Sequence, residues 1–483
     1  MWNKTLIALA VPLCLAACSS MAPDYVRPEP AVPATWPTGA AYPAASTAAD
    51  AQTSVAEVSW RTFILDERLR QVVTLALQNS RDLRKTIANI ESARAQYGVQ
   101  RAAQFPTVSA NVTGSRSGSD PSGDAGTTIT QSTAANLGLS AYELDLFGRV
   151  RSLTDAQRET YLATEEAARA TRISLIAETA TAWLTLASDR NQLAVAQQNQ
   201  ASALRSLELT QRRLQAGVTT AVDVRQAETV YHQARVDVAS STTAVAQDRN
   251  ALELLVGHPV ADVLLPETLP DSANCLAEVP VGLSSAVLLG RPDVLQAEHQ
   301  LKAANANVGA ARAALFPKLT LTAAGGVAST ALASLFSGGA TTVWSVAPAL
   351  SLPIFDGGSS RASVDYSEAQ KKLYLATYEL AVQTAFSDVA NALARHGTMQ
   401  SQLSAQTDLV TAASESYRLA DARYAKGVDT YINALVAQRT LYSAQKTLVS
   451  TRLTALSNQI TLFRVLGGGL GGDDHSGSAD ALP

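Results

Sequence analysis

Cysteine, histidine, net charge and long apolar runs are all scarce in this 483-residue chain, and each scarcity removes a class of function. The 3 cysteines are Cys14, Cys18 and Cys275. Two fall near the start and one stands alone, which leaves no disulfide framework and no thiolate metal cluster. The 5 histidines (His232, His258, His299, His396 and His475) are scattered, and no two share a helix face one turn apart. With a net charge of -4 there is no basic face to invite nucleic acid. No HExxH pattern, phosphate-cradling glycine loop or Ser/His/Asp setting is present. Glu165-Glu166 is an adjacent pair, expected to point to different faces of a helix into solvent. The chain is therefore expected not to be an enzyme and to need no metal and no cofactor.

Proline and glycine are missing where their absence matters most. Arg149–Val256 contains no proline and only Gly217; Ser359–Leu466 contains no proline and only Gly397 and Gly427. Neither stretch has a helix breaker at its centre except at one reversal point. Arg149–Ala216 as one helix would extend roughly 100 Å, too long for a compact domain. Gly397 is a candidate kink.

What is present is a repeat, and it governs the rest. RLQAGVTTAVDVRQAETVYHQARVDV…NALELLVG returns as RYAKGVDTYINALVAQRTLYSAQKTL…ITLFRVLG without a gap. Arg213 meets Arg423, Gly217 meets Gly427 and Gly257 meets Gly467. Each copy reads as the turn and return arm of a helical hairpin. In the return arms Ala227, Tyr231, Ala234, Val238 and Asp248 correspond to Ala437, Leu441, Ala444, Leu448 and Asn458, spaced as the seam of a left-handed coiled coil. Many seam residues are small, which fits close helix packing in a larger helical assembly. Upstream of each hairpin a helix stops at Phe105-Pro106 or Phe316-Pro317, because proline cannot sit in a helix interior.

A pair of candidate strands follows each stop. Thr107–Thr113 alternates Val108, Ala110 and Val112 against polar residues, and Ala135–Leu146 alternates Leu137, Leu139 and Ala141 against Asn136 and Ser140. Lys318–Ala324 and Thr341–Phe355 take the same parts in the second copy. This period of two fits membrane-barrel strands or a small soluble hairpin. Four strands cannot close a barrel, and open edges are not tolerated in lipid. Two chains would give eight strands, which leaves no aqueous bore; three would give twelve, which does.

The first residues carry Lys4, the apolar run LIALAVPLCLAA and then Cys18. That run is a secretory leader, too short to span. Leu15-Ala16-Ala17-Cys18 has the form of a lipoprotein signal, so residues 1–17 are expected to be removed and Cys18 to carry a lipid, worth about 0.8 kcal/mol per buried methylene. Residues 18–59 form a Pro- and Ala-rich tether. Residues 60–257 make the first repeat, 258–290 a connector, 291–467 the second repeat, and 468–483 a tail expected to be disordered.

The motifs PDYVRP (Pro23–Pro28), YELDLFGRVR (Tyr142–Arg151), LFP (Leu315–Pro317) and LPIFDGG (Leu352–Gly358), with the lipobox and paired hairpins, resemble the TolC-like outer-membrane efflux proteins, more narrowly the NodT/OprM lipoprotein branch. The resemblance implies a mixed α/β membrane protein: a homotrimer with a 12-stranded β-barrel, four strands per chain, continued by a long α-helical barrel. It implies an outer-membrane channel for drugs or other small toxic compounds, working with a periplasmic adaptor (a membrane fusion protein) and an inner-membrane RND-type transporter. The alternatives are a type I protein-secretion channel and a periplasm-spanning structural lipoprotein without a pore.

By the same resemblance the hairpin turns are the periplasmic gate. Gly217, Val218, Gly427 and Val428 become adaptor-contacting tips. Asp223 and Tyr424 become a pair that ties hairpins shut. The sequence departs from the family pattern at Asp429, which stands where an arginine is usual, so Arg213 or Arg423 is expected to supply the cation. Asn433 and Val436 stand where some members place acidic rings, which makes the entrance less cation-selective.

Overall fold

The computed structural model describes residues 20–42, 59–119, 128–270, 272–279, 284–335 and 337–468. Cys18, the leader, tether residues 43–58 and the tail from residue 469 lie outside them. In chain order the elements are α1 (Trp60–Phe63), α2 (Glu67–Asn79), α3 (Arg81–Ala102), β1 (Val108–Ser119), β2 (Thr128–Leu144), α4 (Arg149–Gln215), α5 (Ala221–Val256), α6 (Ser272–Cys275), α7 (Pro292–Ala313), β3 (Lys318–Ser329), β4 (Thr341–Ser351), α8 (Ser359–Ala425) and α9 (Tyr431–Val465). Both α4 and α8 are single helices of 67 residues, each about 100 Å long. Among the described residues no helix is long and apolar enough to cross a membrane.

The chain divides into two compact units. One comprises Met1–Glu29, Asn89–Glu165 and Gln296–Tyr378; the other comprises Pro30–Ala88, Glu166–Leu295 and Glu379–Pro483.

The first unit contains one antiparallel sheet in the order β1-β2-β3-β4. α3 and α7 tighten before their prolines: Phe105 N–H donates to Ala102 O and Phe316 N–H to Ala313 O, both at i,i+3. The strands then emerge, and their register sorts the side chains cleanly. Val108, Ala110 and Val112 share a face with Leu137 and Leu139, with Leu319, Leu321 and Ala323, and with Trp344, Val346 and Leu350. All of Val108, Val112, Leu137, Trp344, Val346 and Leu350 are solvent-exposed in the single chain. The opposite face carries Ser109, Asn111, Asn136, Thr320, Thr322 and Ser345. Trp344 lies opposite Gly325, which gives its ring room to cover the strand. The outer strands, β1 and β4, each have one edge without a partner strand among the described residues.

Two expectations about the strands are corrected. Ala141 does not continue the apolar face. A bulge shifts the register between Leu139 and Tyr142, Ala141 takes φ 47°, and its N–H donates to Thr322 Oγ1 at 3.2 Å. The extra residue hands the apolar face on to Tyr142 and Leu144. β1 runs past the Thr113 end expected for it, because each of residues 114–119 pairs with a residue of Thr128–Thr133. Cross-strand hydrogen bonds override the weak strand propensity of that Gly/Ser-rich segment.

The tether is anchored on α7 in this unit. Asn305 Nδ2 donates to Pro23 O at 2.7 Å, and Arg27 Nε to Glu298 Oε2 at 3.0 Å. Lys302 also meets the Glu298 carboxylate at 3.0 Å, so the buried acid is doubly compensated. A Cβ on Gly309 would stand 2.6 Å from Ala22 N, so the tether passes only because that side chain is missing.

The second unit contains the hairpins and their support. Asp66 caps α2, accepting from Arg68 and Leu69 N–H. Phe63 and Phe463 stack at 4.1 Å, and the buried Trp183 indole donates to Leu264 O at 2.9 Å. Arg291, itself buried, donates to Val465 O at 2.8 Å, placing a cation at the C-terminus of α9 where the helix dipole favours it. Cys275 is fully buried, which pushes its thiol up to about 12 and leaves it protonated. Gly397 does not interrupt α8. A Cβ there would stand 2.4 Å from Ala41 O, so this glycine too admits the tether. Glu166 is not the solvated residue expected: it is buried and takes Arg169 at 2.8 Å.

Candidate functional site: the paired hairpin tips

Both hairpins reverse by the same device. Gly217 and Gly427 adopt left-handed φ of 73° and 75°. Val218 N–H donates to Arg213 O and Val428 N–H to Arg423 O, each at 3.0 Å. Gly217 N–H donates to Leu214 O and Gly427 N–H to Tyr424 O, each at 2.9 Å. This is a Schellman closure, and only glycine takes its central conformation without strain. It leaves Val218 (67% exposed) and Val428 (64%) at the ends.

Beyond the glycines the two copies part. In the first, Thr220 caps α5, and Asp223 completes a capping box by accepting from Thr220 N–H at 3.1 Å. Asp223 also accepts from the Thr219 and Thr220 hydroxyls, both at 2.7 Å. Those hydroxyls hold its carboxyl below the usual range. In the second copy the acid has moved: Asp429 stands where Thr219 does, and Asn433 where Asp223 does. Asp429 accepts from Asn433 Nδ2 at 2.6 Å, Thr430 N–H at 2.8 Å and Arg423 Nε at 3.2 Å. These donors, the Asn433 amide first, hold it below the usual range as well.

The two arginines also diverge. Arg423 stays on its own tip with Asp429. Arg213 crosses to the second hairpin: its Nη1 donates to Tyr424 O at 2.7 Å, and its guanidinium carbon lies 4.5 Å from the centroid of the Tyr424 ring. A Cβ on Gly427 would stand 3.1 Å from Arg213 Nη2. Tyr424 is only 3% exposed, and its hydroxyl shares a 2.9 Å hydrogen bond with Thr210. Its ring lies 5.3 Å from that of Tyr431, in a core with Leu207, Val224, Ala227, Ala434 and Leu435. Burial pushes the Tyr431 hydroxyl up from its ordinary value.

The structure thus places Arg213 with Tyr424, and Arg423 with Asp429. Within the chain it does not bring Asp223 and Tyr424 together; each is satisfied by other partners. Thr210 was missed in the sequence. Its signal was present, since its counterpart in the second copy is Ala420, and Tyr424's counterpart is Leu214. Two positions of one helix face that diverge together mark a contact. Among the described residues no group of three or more His, Cys, Asp or Glu is arranged to hold a metal ion.

A chain of long paired helices, two repeated tips and a four-stranded sheet with one apolar face can be compared with known proteins on those terms. Residues 72–258 and 283–468 match the outer membrane efflux protein family. The chain belongs to that family. Residues 259–282 lie between the two matched segments. The chain is 45% identical over 472 residues to the toluene efflux pump outer membrane protein TtgC of Pseudomonas putida, covering 97% of this chain and 96% of that protein. It is 41% identical over 464 residues to outer membrane protein OprJ of Pseudomonas aeruginosa, covering 96% and 95%. Among solved structures, the MtrE outer membrane channel of Neisseria gonorrhoeae in its open state superposes with a TM-score of 0.82 at 35% identity, covering 94% of this chain and 99% of that one. A membrane protein from Pseudomonas aeruginosa superposes at 0.84 with 39% identity, covering 93% and 100%.

Proposed function

We propose that this chain forms the outer-membrane exit duct of a tripartite efflux pump, passing drugs, solvents or other small toxic compounds out of a Gram-negative cell. The family is one of transport channels rather than enzymes. The observation that carries the reading is the sheet: one apolar face, one polar face and two unpaired edges. A sheet of that kind is unstable alone in lipid and is satisfied by pairing β4 of one copy with β1 of the next. Three copies close twelve strands around a water-filled bore, with the apolar face toward lipid. The long helices of the three chains continue the duct into the periplasm, and the lipid on Cys18 anchors each chain to the membrane.

In this assembly the tips are the gate and the docking surface. Gly217, Val218, Gly427 and Val428 meet a periplasmic adaptor, which links the duct to an inner-membrane RND-type transporter. Asp223, Tyr424, Asp429, Arg213 and Arg423 hold the closed arrangement. Transport through the duct is passive, and the transporter supplies the energy. The relatives' names, which refer to toluene, solvent and antibiotic efflux, favour small molecules over protein secretion. The test is genetic. Deleting the gene is expected to lower the host's tolerance of toluene and antibiotics severalfold, and the full chain to restore it. Unchanged tolerance with a protein retained in the cell would favour a secretion channel instead.

A further inference from the structure

Charge is nearly absent from the sheet. In β1–β4, among the described residues, the charged side chains are Arg116, Glu143 and Lys318. Arg116 belongs to the apolar face, two residues beyond Gly114 and four beyond Val112. Glu143 and Lys318 belong to the polar face: Glu143 is paired with Thr320, and Lys318 is two residues from Thr320 on the same strand. Both stand at the end of the sheet where α4 begins, beside its first residue, Arg149.

The three groups do not cancel. Arg149 grips the Glu143 carboxylate with two hydrogen bonds, Nε at 2.8 Å and Nη2 at 2.6 Å. That is the strongest geometry available to a carboxylate and a guanidinium, and it uses both oxygens. Lys318 Nζ lies 2.9 Å from the same Oε2. One anion therefore faces two cations, and Lys318, half exposed, is the one left facing solvent. Asp145 also acts on Arg149 through its charge, and Asp356, at the start of α8, accepts from Gly358 and Ser360. Asp145 accepts from Arg151 N–H at 2.8 Å and lies 3.5 Å from Arg151 Nε, and Glu368 is taken by Arg312 at 2.8 Å.

We propose that Lys318 gives the α4 end of the polar face a positive mouth that favours anions over cations in the duct. The inference rests on the conduit reading above, in which the polar face lines the bore. Three chains then set three such lysines at one level. Among the described residues of the four strands, the rest of that face offers hydroxyls, amides, alanine, glycine and Val343, with Glu143 its one acid.

The test uses the purified full chain in planar bilayers under a KCl gradient, with wild type, Lys318→Gln, Lys318→Glu and Lys318→Arg. Debye screening reaches about 30 Å at about 0.01 M salt and only about 3 Å at about 1 M, so the effect belongs to low salt. The chloride-to-potassium permeability ratio is expected to fall about twofold in Lys318→Gln at low salt, and further in Lys318→Glu. Lys318→Arg, which keeps the charge, is expected to keep the ratio, and all four are expected to converge at high salt. Four conducting proteins with one ratio at low salt would overturn the proposal while leaving the conduit intact. A wild type that inserts and does not conduct would remove the conduit reading, and this inference with it.

Discussion

Arg213 and Gly427 make one contact from two sides. The guanidinium lies over the Tyr424 ring, holds the Tyr424 carbonyl and fills the space a Gly427 side chain would need. Removing Arg213 gives up a charged hydrogen bond and a cation–π contact, together about 1–3 kcal/mol of tip stability. Arg213→Ala is therefore expected to raise amide hydrogen exchange at residues 424–428 by about tenfold or more, and to raise single-channel conductance in bilayers. The glycines allow a sharper comparison. Gly217→Ala and Gly427→Ala both place a Cβ at positive φ, costing about 1–2 kcal/mol of strain. Only Gly427→Ala also displaces Arg213, since nothing lies within 4 Å of a Cβ on Gly217. Gly427→Ala should reproduce the Arg213→Ala conductance, and Gly217→Ala should not. Equal effects from the two glycine variants would mean that the turn alone matters. The turn chemistry was legible in the sequence, because glycine before valine at the end of a long helix has few other uses. The crossing of Arg213 was not legible. Both copies carry an arginine at that position, and which one reaches across depends on how the hairpins pack.

At the scale of the element, the length of α4 and α8 follows from the absence of proline, and their ends from Gly148, Gly217 and Gly427. The seam hides a difference between copies. Asp248 in α5 lies within electrostatic reach of Asp189 in α4, and its Oδ2 is buried without a hydrogen-bond partner. The counterpart of Asp248 is Asn458, a neutral residue whose amide donates to Ala392 O at 3.1 Å. Burial, then repulsion by Asp189, pushes the Asp248 carboxyl up to about 6. A carboxyl whose folded value lies above its unfolded value of about 3.9 stabilises the fold when protonated. That contribution is complete below about pH 4 and is lost as pH rises through about 6. Asp248→Asn should therefore stabilise the protein at pH 7.5 by about 1 kcal/mol, after allowance for solvent screening, and by little at pH 4. Thermal unfolding of both proteins across that range checks it, and a constant difference would rule out the raised Asp248 carboxyl. The strands were less legible than the helices. Alternation placed the first half of β1 and the repeat placed β4, which stops at Ser351 short of Phe355, yet neither could foresee the bulge at Ala141, where a hydrogen bond to Thr322 on a strand far away in sequence sets the local backbone. Gly397 read as a candidate kink for a related reason: its neighbour, the Ala41 backbone, is distant in the chain.

For the whole molecule, the decisive feature is an incompleteness. Among the described residues the chain carries four strands with exposed apolar side chains on one face and unpaired edges at β1 and β4. Water-soluble proteins cover or charge such edges, and a lipid-exposed sheet must close. A charged residue at the centre of the apolar face should therefore block insertion without disturbing the helices. Val346→Lys is expected to cost about 2–4 kcal/mol in the membrane and to leave the helical circular dichroism intact. Loss of helical signal as well would mean that the face packs against protein. Closure itself has a number attached. Two copies would supply eight strands and fill their own interior with side chains, whereas three supply twelve and leave a bore. The most direct test is the mass of the detergent-extracted full-length protein by native mass spectrometry. The account predicts a particle of three chains. A monomer or a dimer, at concentrations where the protein remains folded, would contradict it.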